Sequence, residues 1–231
     1  MTNENKNNDN FKLYFFYFLV SSIIIMIIFF VIIAGTFWNF WSKIWRIEEF
    51  YEQKSQTIIS GPSVNRLDPY KGDINAKITI IEYSDFFCLA CKTLNTNLQE
   101  IEKLYGNNVK IVFKALPVIN QLEGKNATLA AYCAGEQNRF WEYEDLLFQN
   151  STLLYDQTYK ELAKALNLNE QNFNTCLASQ RYEALINNNL AEALRLEITS
   201  IPTLYINNQK MENYITLKGL KSIIEKNLNQ I

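Results

Sequence analysis

The alternation of apolar and polar positions divides the chain into a head, a stalk and a domain. Residues 1–12 are polar and asparagine-rich, a composition that buries too little apolar surface to order itself and predicts a disordered start. Across residues 13–42 no side chain is charged, and Phe, Ile, Leu and Val dominate. That run exceeds the roughly 20 residues a bilayer-spanning helix needs, so one N-terminal transmembrane signal anchor is expected there. Tyr14, Tyr17, Trp38, Trp41 and Trp45 stand toward its ends, where amphipathic rings favour the membrane interface. A cleaved signal peptide would carry a shorter apolar stretch and a small-x-small site, which Ala34-Gly35-Thr36 matches poorly. Lys6 and Lys12 before the run balance Lys43 and Arg46 after it, so flanking charge sets no orientation. The early position of the span and the length of the domain after it favour the N-terminus inside and the domain outside the cytoplasm.

Residues 43–74 read as a stalk, interrupted by the breakers Ser60-Gly61-Pro62-Ser63 and Asp68-Pro69. The domain is expected over 75–231. Residues 77–83 are β-branched and almost continuously apolar, as a strand buried on both faces would be. Leu94, Leu98, Ile101, Leu104 and Tyr105 then recur at helical spacing up to Gly106, and 109–115 forms a second strand before Pro117. Strand, helix and strand in so short a span predict a parallel pair with a right-handed crossover. A helical region over about 125–197 comes next, in pieces at 126–149, 157–166, 170–178 and 181–196. Two short strands, 202–206 and 210–211, flank an Asn207-Asn208 turn, and a last amphipathic helix over 217–228 starts at a Thr216 cap. The whole is an α/β fold with an inserted α-helical subdomain.

A net charge of -2 gives no electrostatic footprint for nucleic acid. The absence of histidine excludes Ser-His-Asp and Cys-His catalysis, His-containing zinc sites and a histidine proton switch. Special chemistry is left to Cys88, Cys91, Cys133 and Cys176. Paired Cys-x-x-Cys knuckles mark a four-cysteine zinc site, and here Cys133 and Cys176 stand alone, so no metal is expected. Cys88 falls at the start of a helix, where unpaired backbone N–H groups and the dipole favour the thiolate. Cys91, one turn on, can close or open a disulfide with it. This is redox chemistry.

Phe86-Phe87-Cys88-Leu89-Ala90-Cys91 after an apolar strand, the run from Ala130 to Gln137 with Phe140-Trp141-Glu142-Tyr143, and Ile201-Pro202-Thr203 before another strand succeed one another in this order. Together they resemble the DsbA-type thiol:disulfide oxidoreductases, thioredoxin-like folds with a helical insertion, over about two-thirds of the chain. The resemblance implies that Cys88 is the exposed nucleophile and Cys91 the more buried resolving thiol. It implies a cis Pro202 in a loop, Ile201 to Thr203, that docks substrate beside the dithiol; an ordinary trans proline opening an edge strand is the alternative. Glu82 matches the family's buried acid, able to exchange a proton with Cys91; its alternative is a strand residue paired with Lys114. Cys133 and Cys176, inert core thiols by default, are implied by some relatives to be a disulfide closing a loop worth about 4 kcal/mol.

The family's type member has Pro-His between its cysteines, whereas this chain has Leu89-Ala90. With neither charge nor side-chain donor there, the disulfide is expected to be less oxidising than DsbA's, near −120 mV. The implied activity, with no cofactor, is disulfide formation in exported thiol-containing proteins, with reoxidation by a quinone-linked partner in the cytoplasmic membrane. A membrane-anchored reductase or isomerase and a dithiol metal-binding module are the alternatives.

Overall fold

A computed structural model of the protein describes residues 22, 26–27, 29–43, 61–211 and 216–229. The chain divides into two units, Met1–Ile58 and Ile59–Ile231. In the first, residues 29–43 are helical and expose their apolar side chains, Phe30 and Trp38 most of all. Among the described residues no helix is long and apolar enough to cross a membrane. Much of the expected 13–42 span, all of the polar start and most of the stalk lie outside the described residues.

The second unit is built on a five-stranded sheet: β1 (Tyr70–Gly72), β2 (Ile78–Ser84), β3 (Val109–Ala115), β4 (Thr203–Ile206) and β5 (Gln209–Lys210), in the order β1-β3-β2-β4-β5. β2 and β3 are parallel, joined by helix α1 (Leu89–Tyr105), while the remaining neighbours are antiparallel. Strand side chains alternate faces. Ile78, Ile80, Val109, Ile111, Leu204 and Ile206 therefore meet α1 through Leu94, Leu98 and Ile101, and meet α7 (Leu217–Leu228) through Leu220 and Ile224. Ile81, Tyr83, Val112 and Tyr205 leave on the other face, toward Ala193 of α6 (Glu183–Arg195). Asn207 and Asn208 both take left-handed backbone, with φ of 47° and 66°, in the β4–β5 turn. The Thr216 hydroxyl accepts from Gly219 N–H at 3.1 Å and caps α7.

The insertion consists of α2 (Gln121–Gly135), α3 (Phe140–Gln149), α4 (Asp156–Ala165), α5 (Glu170–Ser179) and α6. The single helix expected over 126–149 is thus two. The polar run Glu136-Gln137-Asn138-Arg139 ends α2, with Asn138 at φ 59°, a conformation asparagine tolerates better than most residues. These helices pack around a further core that contains Tyr143, Leu147, Phe148, Tyr159 and Phe173 and extends to Phe113 of β3 and to Cys88 and Cys91, and Cys133 on α2 is bonded to Cys176 on α5.

The stalk assignment of 43–74 needs correction at its C-terminal end. Residues 61–74 pack on the domain: β1 pairs with β3, Trp141 Nε1–H donates to Tyr70 O at 3.1 Å, and Ser63 N–H donates to Glu192 at 2.9 Å. The Asp68-Pro69 break turns the chain into a short edge strand. Gly72, at φ 90°, closes it where any Cβ would lie 2.1 Å from Val109 O.

Candidate active site

α1 begins at the dithiol. Cys88 is its N-cap, with extended backbone, and its Sγ accepts the Cys91 backbone N–H at 3.3 Å. A sulfur in this position gains when it carries negative charge. The approach to the helix is held by Asp85, a buried carboxylate. It accepts from Phe87 N–H at 2.9 Å and reaches across to Val118 and Ile119 N–H at 2.8 and 2.9 Å. Asp85 thereby ties the loop before the dithiol to the loop after β3. Phe86 walls the site from the insertion side, its ring 5.4 Å from that of Phe113 and 5.0 Å from that of Phe148.

Cys88 and Cys91 are free thiols, 6% and 0% exposed. Cys88 is the less buried of the two, yet far less open than an exposed nucleophile. The reason is the loop ahead of β4, which puts the Ile201 carbonyl 4.0 Å from Cys88 Sγ. The Ile201–Pro202 bond is cis, and the Thr203 hydroxyl donates to Ser200 O at 2.7 Å. Burial pushes the Cys91 thiol far above its ordinary range, and its contact with Cys88 pushes the same way.

Glu82 leaves β2 on the face that α1 covers and is 1% exposed. Burial raises it to about 8, and the Lys71 charge pulls it back only in part. It is not paired with Lys114, the structural alternative raised for it. Lys114 instead lies 3.0 Å from Asp68 and 2.8 Å from Glu192. Four buried acids escaped sequence reasoning. Asp85 comes after a strand as an ordinary polar residue, and Asp68 and Glu192 come from distant segments. Only Glu144 left a readable signal, a carboxylate within the buried row Phe140, Tyr143, Glu144, Leu147, Phe148.

A helix-start Cys-x-x-Cys carried by the parallel pair β2–β3 and faced by the cis Ile201–Pro202 loop defines a thioredoxin-like fold with a helical insertion and places a dithiol where it can open and close a disulfide. The chain belongs to the thioredoxin family, whose model matches residues 65–226. A stretch of 158 residues is 27% identical to the Na(+)/H(+) antiporter NhaA 3 of Salinispora tropica, covering 68% of this chain and 24% of that protein. The chain thus spans about a quarter of the length of the first curated relatives it matches. Disulfide bond formation protein D of Bacillus subtilis is 23% identical over 189 residues, covering 77% of this chain and 84% of that one. Among solved structures, α-DsbA1 of Wolbachia pipientis superposes with a TM-score of 0.64 at 23% identity, over 76% of this chain and 96% of that chain.

Proposed function

We propose that this protein is a membrane-tethered oxidase that donates the Cys88–Cys91 disulfide to exported proteins. The observation that carries the reading is the placement of Cys88: N-cap of α1, Sγ bonded to Cys91 N–H, Ile201 carbonyl at 4.0 Å. A substrate thiolate attacks Cys88 Sγ, the Cys88–Cys91 bond breaks, and Cys91 leaves as a thiolate that takes a proton from Glu82. A second substrate thiolate attacks the substrate sulfur of the mixed disulfide and releases Cys88. The substrate leaves oxidised and the enzyme holds two thiols. A quinone-linked membrane partner would remove those two electrons, needing no cofactor in this chain.

The loop Ile201 to Thr203 offers backbone to an extended substrate. Beside it an apolar cavity of about 300 Å³, bordered by Leu116, Val118, Leu190, Leu194 and Ile201, suits apolar side chains of an unfolded client. The tether reading rests on the charge-free run at 13–42 and on the exposed apolar surface of the 29–43 helix. It implies a single pass through the cytoplasmic membrane with the domain on the extracytoplasmic side. The name of the Bacillus relative supports oxidation as the direction. Leu89-Ala90, which lacks any group to hold a thiolate, favours the second reading, a reductase or isomerase.

The redox state of Cys88 and Cys91 in intact cells, trapped by acid and alkylation, separates the two. Mostly disulfide supports the oxidase and mostly dithiol overturns it. Cys91→Ala should accumulate mixed disulfides with clients, and their absence would sink exchange through Cys88.

A further inference from the structure

The interior beneath α1 holds a second carboxyl that the exchange reaction has not used. Glu144, on α3, is 0% exposed, and neither of its oxygens meets a hydrogen-bond donor; Oε2 of Glu82 meets none either. Its neighbour Asp145 accepts from Asn95 at 2.9 Å and Gln99 at 2.6 Å, both on α1, which fixes α3 against the helix of the dithiol. Glu144 is therefore held in place by the adjoining residue while its own carboxyl is left without a donor.

The charges around the pair are few. Lys71, on the same sheet face as Glu82 two strands away, puts its Nζ 3.0 Å from Glu102 and 4.6 Å from the centre of the Trp141 ring. Its charge favours ionisation of both buried carboxyls, but it is engaged elsewhere. Burial first, then the charge of Glu82, push Glu144 far above the carboxylate range, and Asp145 and Glu102 add to this while Lys71 opposes it. Two carboxyls in a dry interior, sharing one cation that is itself paired with Glu102, are not both ionised at neutral pH.

We propose that Glu144 is a positioning residue for the proton step: it stays protonated and offers its O–H to the Glu82 carboxylate. This rests on Glu82 being the acid that serves Cys91. The resting pair carries two protons. When Cys91 leaves as a thiolate, the Glu82 proton moves to its sulfur, and the resulting Glu82 anion is held by the Glu144 O–H. When Cys91 is later deprotonated to re-form the disulfide, Glu82 takes the proton back. One proton cycles, and Glu144 never releases its own.

Glu144→Met and Glu144→Gln discriminate this from a space-filling role. Both fit the volume, but only glutamine keeps a donor. Read-outs are the ¹³C titration of the Glu82 carboxyl and the pH profile of the Cys91 step, monitored as closure of a mixed disulfide on Cys88. In Glu144→Met the Glu82 midpoint should rise by at least one pH unit and closure at pH 7 should slow about tenfold, a unit of pKa being a factor of ten. Glu144→Gln should restore both to within about twofold. An unmoved midpoint and profile in Glu144→Met would overturn the proposal. So would a wild-type Glu144 that is ionised at pH 7, a measurement that needs no variant to fold. Glu82→Gln tests the underlying reading separately: if closure in it keeps the wild-type pH profile, Glu82 itself is not the acid.

Discussion

Lys114 stands in register with Tyr83, one position past the pairing of Glu82 with Phe113, so its ammonium leaves the sheet on the face opposite Glu82. There it meets Asp68 and Glu192, while Tyr83 O–H and Ser63 donate to the same Glu192 carboxyl. A single step along the pleat separates a compensated charge cluster from an uncompensated acid. The first fastens the segment before β1 to α6, and the second lies buried on the face that α1 covers, without a direct cation.

Removing the cation should be costly. Lys114→Met leaves Asp68 and Glu192 buried without it, and breaking a buried ion pair by deleting one partner typically costs about 3–5 kcal/mol. Denaturant unfolding at neutral pH checks the loss. The cluster also gives an acid limb to stability. Although burial opposes it, donation from Lys114, Ser63 and Tyr83 holds Glu192 down to about 2, against an ordinary 4.5. A group lowered in the folded state stabilises above its unfolded value, and that contribution drains away as pH falls from 4.5 toward 2. Glu192→Gln should lack this limb.

The insertion is stapled across 43 residues by Cys133–Cys176. In the chain-entropy account, opening that loop in the double variant Cys133→Ala/Cys176→Ala lowers stability by about 4 kcal/mol. The staple joins α2 to α5 in the apolar core that also contains Cys88 and Cys91, but it takes no part in the helix start or the Ile201 contact that hold Cys88. Alkylation kinetics of Cys88 under native conditions should therefore stay within about twofold of wild type, whereas the unfolding midpoint falls.

Much of this architecture was legible because periodicity reports burial. β3 falls at the expected 109–115 because Val109, Ile111, Phe113 and Ala115 alternate onto one buried apolar face, and Leu94, Leu98 and Ile101 mark the buried side of α1. Leu104, on the same expected stripe, is exposed, while Tyr105 beside it packs on that core. β1 was illegible: three residues, Tyr-Lys-Gly, carry no alternation, and their strand character comes from pairing with β3. The dithiol and the cis-proline loop were readable as local motifs. The Asp85 bridge and the Lys114 cluster were not, since each depends on residues that only the fold brings together.

The dipeptide between the cysteines can be tested by exchange. Leu89 and Ala90 open α1 and are exposed, Leu89 by 76%, so neither contributes to the core. Proline is well suited to a first helical position, and a histidine beside Cys88 adds a positive donor for its thiolate. Leu89→Pro/Ala90→His should thus stabilise the reduced form and raise the potential by about 30 mV or more, a tenfold change in the two-electron equilibrium. Equilibration with glutathione measures it. An unchanged potential would mean that the helix start and the Cys91 N–H already stabilise the thiolate fully.

Glu82 sets the alkaline limb of stability. Its folded-state value is raised to about 8 from an ordinary 4.5, because burial penalises the charge more than Lys71 favours it. For a raised acid the sign is opposite to that of Glu192. Below 4.5 the carboxyl is neutral in both states and costs nothing extra. Between 4.5 and 8 the unfolded chain ionises while the folded one does not, so stability falls with a slope of up to about 1.4 kcal/mol per pH unit. Glu82→Gln removes this dependence. The variant and wild type should unfold at similar denaturant concentrations near pH 4.5, and the variant should be the more stable at pH 8. Parallel stability curves across that window would mean that Glu82 is already ionised in the folded protein, and the proton it is assigned to give Cys91 would have to come from elsewhere.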